Sequence, residues 1–212
     1  MEIVRIDLLG TNAYVADGET LVDAGWTWSA SSVREAVEDA GYALGDIDRV
    51  LVTHYDLDHV GGLASLEKAG LDAPVYAAEP DASFLAGEAK PPLRNAKGAF
   101  QRAVGVGIPT PETQVERVEE GDEVAGFEVY ETPGHTPGHV SYLSDEAAFV
   151  GDAFRESGGT VGTMPSYMCY DTTEERRTAE QLGEVLNDRT AYVGHGEPVE
   201  NAGEKVRAAF QG

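Results

Sequence analysis

Cysteine and lysine are the scarce residues of this 212-residue chain. A lone cysteine, Cys169, leaves no internal disulfide to form. Lysine occurs only at 68, 90, 97 and 205, and the 15 basic residues face 38 acidic ones, for a formal charge of −23. Nucleic acid and anionic membrane surfaces are gripped through Lys and Arg, so a chain this acidic is expected to bind neither. Uninterrupted apolar runs fall far short of the roughly 18 residues of a membrane helix. The start, Met1-Glu2-Ile3-Val4-Arg5, has no basic segment leading into an apolar one, so no secretory signal is expected. These absences predict a cytoplasmic protein. The apolar fraction of 42% is too high for a disordered chain, and the length suits one core. Acid spread along the whole chain repels itself and is most tolerable where salt screens it, which predicts a high-salt cytoplasm.

The pattern predicts one unit over 1–212 with a helical or loop insertion at about 81–111. Ile3–Ile6, Asn12–Ala16 and Thr20–Asp23 alternate as strands, with an Asp17-Gly18 hairpin signal between the last two. A helix is expected after a Ser32/Glu35 capping box and a stop at Gly41. Arg49–Thr53 reads as a strand covered on both faces, followed by a helix between Gly61 and Gly70 and a strand at 74–78. Arg94–Val104 suits one helix. Strands are expected at 127–130, 140–143, 148–150 and 190–193, with a helix behind a Thr172/Glu175 capping box and a last one ending near Phe210. Strands interleaved with helices in this order predict layers of helices packed on sheets.

The histidines are five: His54, His59, His135, His139 and His195. Each lies just past an expected strand or in a Gly/Pro turn, where α/β sheets bind ligands. The run His54-Tyr55-Asp56-Leu57-Asp58-His59 holds four metal-competent side chains within six residues. Divalent ions take neutral imidazole nitrogens and carboxylate oxygens, so His54, Asp56, Asp58 and His59 are candidate metal ligands. Three further signals follow: Thr132-Pro-Gly-His135-Thr-Pro-Gly-His139, Gly151-Asp152 and Gly194-His195-Gly196.

Taken together and in this order, the cluster, the turn, the Gly-Asp and the Gly-His-Gly resemble the metallo-β-lactamase superfamily. Leu21-Val22-Asp23-Ala24-Gly25 is similar to its early strands, and the likeness spans residues 3 to about 200. The resemblance implies an α/β (α+β) fold, a four-layer αββα sandwich with two divalent metal ions at one edge. It implies a first ion held by His54, Asp56 and His135, a second by Asp58, His59 and His195, and Asp152 bridging the two. His139 then reads as a residue that supports a ligand. The chain departs from the family's His-x-His-x-Asp-His at position 56, where Asp stands for the second His. Zinc is the ion the family implies; an added carboxylate makes the set oxygen-rich and favours iron or manganese more than usual.

The expected function is a hydrolase that uses a metal-bridged hydroxide on a small ester, thioester or lactone, with Asp58 as the catalytic proton carrier. The alternatives are a non-haem iron oxidoreductase of the same fold, flavodiiron-like or persulfide-dioxygenase-like, and a non-catalytic metal-binding domain. The expected partner is a small-molecule substrate. Its contacts are expected from Lys90–Val106 and from Met164, Tyr167, Met168 and Tyr170. Arg94, Lys97 and Arg102 read either as contacts for an anionic substrate or, by default, as solvated helix-surface charges. Trp26 and Trp28 read as packing residues first and as part of a loop flanking the site second, and Cys169 as no nucleophile, since no base accompanies it.

Overall fold

A computed structural model of the chain describes residues 1–210; Gln211 and Gly212, the end of the expected 1–212 unit, lie outside the described residues. Six strands make the first sheet: β1 (Ile3–Asp7), β2 (Asn12–Ala16), β3 (Thr20–Val22), β4 (Arg49–Leu51), β5 (Val75–Ala78) and β6 (Val115–Val118), in that spatial order. The second sheet contains β7 (Glu123–Val124), β8 (Phe127–Glu131), β9 (Val140–Leu143) and β10 (Ala147–Gly151). A separate hairpin of β11 (Arg155–Ser157) and β12 (Thr160–Gly162) precedes β13 (Thr190–Val193), which returns to the second sheet beside β10. The helices are α1 (Ala30–Asp39), α2 (Leu57–Val60), α3 (Leu63–Lys68), α4 (Asp81–Leu85), α5 (Ala96–Val104), α6 (Thr172–Val185) and α7 (Ala202–Phe210). None is long and apolar enough to cross a membrane.

Strand periodicity builds the layers. Alternate side chains point to opposite faces of a sheet, and three separate cores follow from that rule. Tyr14, Val22, Leu51, Val129, Tyr142 and Phe149 meet between the sheets. Their neighbours Ala13, Val15, Leu21, Val50 and Val52 face the other way, onto Val33 and Val37 of α1, Leu63 and Leu66 of α3 and Leu85 of α4. On the far side, Ala148, Val150, Ala191 and Val193 pack under Leu182 of α6 and Val206 of α7. The result is the expected αββα order. The Asp17-Gly18 turn joins β2 to β3 as predicted, both residues taking positive φ (49° and 72°), as the tight hairpin turn requires.

The capping details differ from expectation. α1 begins at Ala30 behind Ser29, ahead of the Ser32/Glu35 pair, and its cap carries no side-chain bond. α6 is capped one residue earlier than expected, by Asp171, whose carboxylate accepts from the backbone N–H groups of Thr173 and Glu174. Glu175 is thereby released from capping; it turns inward to accept from the Met164 N–H at 2.7 Å and from the Cys169 thiol. Within 81–111 the chain forms α4 and α5, and α5 packs onto the short turn at Ser166–Met168.

Candidate metal centre

The candidate ligands lie in turns past strand ends or on the short helix that follows one. His54 and Asp56 lie in the turn between β4 and α2, Asp58 and His59 on α2, His135 in the turn between β8 and β9, Asp152 just after β10, and His195 just after β13. Hydrogen bonds behind the imidazoles fix which nitrogen faces the pit. Asp23, at the end of β3 with φ 57°, accepts the Thr53 N–H at 2.9 Å, the Thr53 hydroxyl at 2.7 Å and His59 Nδ1 at 2.8 Å. Because the Thr53 hydroxyl gives its proton to Asp23, it accepts from His54 Nδ1, 3.0 Å away. His195 Nδ1 donates to the Gly10 carbonyl at 2.5 Å. All three rings therefore turn Nε2 inward, the arrangement by which outer hydrogen bonds orient metal-binding imidazoles.

The inward atoms converge. His54, Asp56 and His135 form one group, His54, His59 and Asp152 a second, and Asp58, His59 and His195 a third, each with its ligand atoms within 4.8 Å of one another. Asp152 stands at the centre, its oxygens 3.2 Å from His195 Nε2, 3.4 Å from His135 Nε2, 3.5 Å from His59 Nε2 and 3.9 Å from His54 Nε2. His54 Nε2, His195 Nε2 and Asp152 Oδ1 are buried and have no hydrogen-bond partner. Buried polar atoms are ordinarily paired, so three orphans aimed at one point fit a cation.

The electrostatics agree. Burial opposes charge on His59, but Asp152, Asp23 and Asp58 outweigh it and lift the ring to about 10; Asp152 likewise lifts His195 to about 9. Burial would raise Asp152, yet His195, His59 and His135 hold it well below the usual carboxylate range. Negative charge that keeps protons on these nitrogens attracts a divalent cation to the same place, with release of the protons. His54, farther from that charge, is pressed down to about 4 by burial and by His59.

The profile of the metallo-beta-lactamase superfamily matches residues 6–211. The chain belongs to that superfamily. It is 30% identical to the protein YobT of Bacillus subtilis (strain 168), over 96% of this chain and 91% of YobT. It is also 30% identical to the atrochrysone carboxyl ACP thioesterase of Aspergillus fumigatus, over 96% of this chain but only 56% of that protein. Among solved structures, the di-iron-bound form of TTHA1623 superposes with a TM-score of 0.72 at 28% identity, covering 99% of this chain and 98% of the other. Superfamily members are mostly metal-dependent hydrolases.

Position 56, the departure from the superfamily motif, has its own partners. Asp56 Oδ2 pairs with the Lys97 ammonium, and Oδ1 accepts from Gln101 Nε2 at 2.7 Å. Burial would raise the Asp56 carboxyl, but Lys97 holds it well below its ordinary range. Lys97 is only 2% exposed, so the expectation of a solvated surface charge fails. One turn of α5 brings Lys97 and Gln101 onto the same face, and that face lies over the pit. Arg102, on another face, reaches the Pro91 carbonyl at 3.4 Å.

His139 supports rather than faces the pit: its Nε2 accepts the Asp152 N–H at 3.0 Å, and its Nδ1 contacts the Thr132 hydroxyl at 2.7 Å. Gly194 makes room, since a Cβ there would collide with Asp152 Oδ1 and His59 Cε1. The two segments expected to contact substrate touch each other: Asn95 Nδ2 donates to the Tyr170 carbonyl at 2.7 Å, and the Tyr170 hydroxyl donates to Gln101 Oε1 at 2.7 Å. Met164 is buried, while Tyr167 is exposed. Trp26 and Trp28 stack at 5.2 Å, Trp26 donates to the Leu8 carbonyl, and Trp28 is exposed. The Cys169 thiol donates a hydrogen bond to Glu175, and burial raises it far above the ordinary range, so it is no thiolate.

Asp23, Lys97 and Gln101 were missed from sequence. Asp23 stood in the Leu21–Gly25 segment with no signal of its own. For Lys97 a signal existed: an extra carboxylate in a buried cluster needs a cation, and the chain has few lysines.

Proposed function

We propose that the chain is a metal-dependent hydrolase of a small ester, thioester or lactone, with Asp58 as its proton carrier. The observation that carries this is the convergence of His54 Nε2, His195 Nε2 and Asp152 Oδ1, buried and unpartnered, beside His59. His54, Asp56, Asp58, His59, His135, Asp152 and His195 line the pit, and a metal would be held from among the groups they form there. A divalent ion bound there would polarise the substrate carbonyl and make a neighbouring water acidic enough to attack it. Asp58 Oδ2 lies 3.5 Å from His195 Nε2 and is partly open to solvent, so it can accept a proton from the attacking water and return one to the leaving group. His139 and Gly194 keep Asp152 in place, while Asp23 holds the rings of His54 and His59. The thioester option is supported by the thioesterase relative.

Zinc, iron and manganese all accept imidazole with carboxylate. The di-iron form of TTHA1623 favours iron and supports a second reading, iron-dependent redox chemistry on the same fold. The proposed partner is a small molecule rather than nucleic acid or membrane, on the charge of −23. The same charge supports a high-salt cytoplasm, so thermal stability should rise as potassium chloride is raised to molar levels; an unfolding midpoint independent of salt would remove that proposal.

The test is a panel of p-nitrophenyl esters, thioesters and lactones, assayed with chelated protein reloaded separately with zinc, manganese and ferrous iron. Hydrolysis restored by metal supports the reading. No turnover of any substrate under any loading, or turnover untouched by chelation, defeats it.

A further inference from the structure

We infer that this chain carries a built-in cation: the Lys97 ammonium occupies the first half of the metal pit, so that one divalent ion binds, in the second half. The inference deepens the hydrolase reading and rests on it. Asp56 and Lys97 explain each other. The superfamily pattern puts an imidazole at position 56, which would leave a lysine ammonium without a counter-charge; an aspartate there supplies it. Lys97 Nζ touches Asp56 Oδ2 and lies 3.2 Å from His135 Nε2. Both are ligand atoms of the His54, Asp56 and His135 group. An ion in that group would need those same atoms at roughly 2.0–2.2 Å, the space the ammonium already fills.

The ammonium is locked in place. Lys97 and Asp56 are both buried. The other Asp56 oxygen is tied to Gln101, whose Nε2 also reaches the Tyr55 carbonyl at 2.5 Å and whose oxygen takes the Tyr170 hydroxyl. Asn95 caps α5 through the Gly98 N–H and grips the Tyr170 carbonyl, anchoring the helix that delivers the lysine. Charge points the same way: Asp56 and Lys97 sum to zero, which removes the attraction that would draw in a second dication. In the second half, among the described residues, Asp58, His59, His195 and Asp152 have no Lys or Arg among their ion-pair partners, and His195 Nε2 and Asp152 Oδ1 are unpartnered there.

Stoichiometry tests this without reference to activity. Chelated full-length protein is saturated with zinc, manganese or ferrous iron in separate arms, freed of excess, and read by elemental analysis and native mass spectrometry. One ion per chain is expected in wild type, and two in the Asp56→His/Lys97→Ala double variant, which opens the first half and restores its imidazole. Two ions in wild type overturn the inference and leave the hydrolase reading intact. None in any arm overturns both. A folded double variant still limited to one ion overturns the assignment to Lys97. Should that variant fail to fold, acetic anhydride labelling of wild type decides: Lys97 stays unmodified before and after loading, whereas labelling that appears on loading shows the ammonium displaced and the inference wrong.

Discussion

The two halves of the pit are built from similar residues and solve the charge problem differently. On one side, Asp58, Asp152, His59 and His195 face each other with atoms to spare, and the unbalanced negative charge keeps protons on the imidazoles. On the other, both Asp56 oxygens are taken up, by a buried ammonium and by an amide, and only imidazole nitrogens of His54 and His135 stay unpartnered beside them. An arrangement with open valences is suited to binding and chemistry. One that closes on itself is suited to holding the fold, so similar substitutions on the two sides should have different consequences.

The largest contrast should come from the carboxylates. Asp58→Asn should lower the hydrolysis rate by about 10²–10⁴ with little change in stability, since it removes a positioned proton carrier. Initial rates and a urea melt on the same preparation check this, and a variant that turns over as fast as wild type would break the comparison. Asp56→Asn should instead destabilise the fold by about 3–5 kcal/mol, because it strands a buried ammonium. Replacing both members, as Asp56→Leu with Lys97→Met, should recover most of that loss. A double-mutant cycle in urea measures the coupling, and additive losses would show the pair to be independent.

Asp23→Asn should act on the side open to a metal without touching it, weakening metal affinity by about 10–100-fold through the loss of His59 orientation. Competition with a chromophoric chelator reads this. The smallest effect concerns Asp81, whose oxygens accept the Tyr55 and Gly138 N–H groups behind the Asp56 turn. Burial pushes its carboxyl up to about 6. A carboxyl raised in the folded state binds more protons folded than unfolded, so its contribution to stability is greatest below about 4 and is lost as pH rises through about 6. The stability gap between wild type and Asp81→Asn should therefore widen on acidification from pH 6.5 to 4; a gap that narrows would place the shift elsewhere.

Most strands and helices and the dense 54–59 cluster were legible because each depends on local pattern, such as the alternation in Asn12–Ala16; the four-layer order and the meeting of the distant histidines came from the family resemblance. The Lys97–Asp56 pair went unread although the extra carboxylate called for a cation, because the partners lie 41 residues apart and α5 has the mixed surface of a solvated helix. Glu175 misled for the converse reason. Its spacing from Thr172 fits a capping box, but the helix starts at Thr172 and is capped by Asp171, which accepts from the Thr173 and Glu174 N–H groups. Helix α4 lies in the 81–111 insertion, where the pattern is weak, and the short strand β6 just past it was not expected from the sequence.

Gly194 carries a consequence for how such a chain can vary. Its backbone angle is ordinary, so the demand is for emptiness rather than for an unusual conformation. Every single-nucleotide change from a glycine codon to another amino acid introduces a Cβ, and any Cβ at 194 meets the carboxylate at the centre of the pit. A library randomised at that codon and sorted for metal retention should return glycine alone, making this residue without a functional group as unforgiving a position as any histidine.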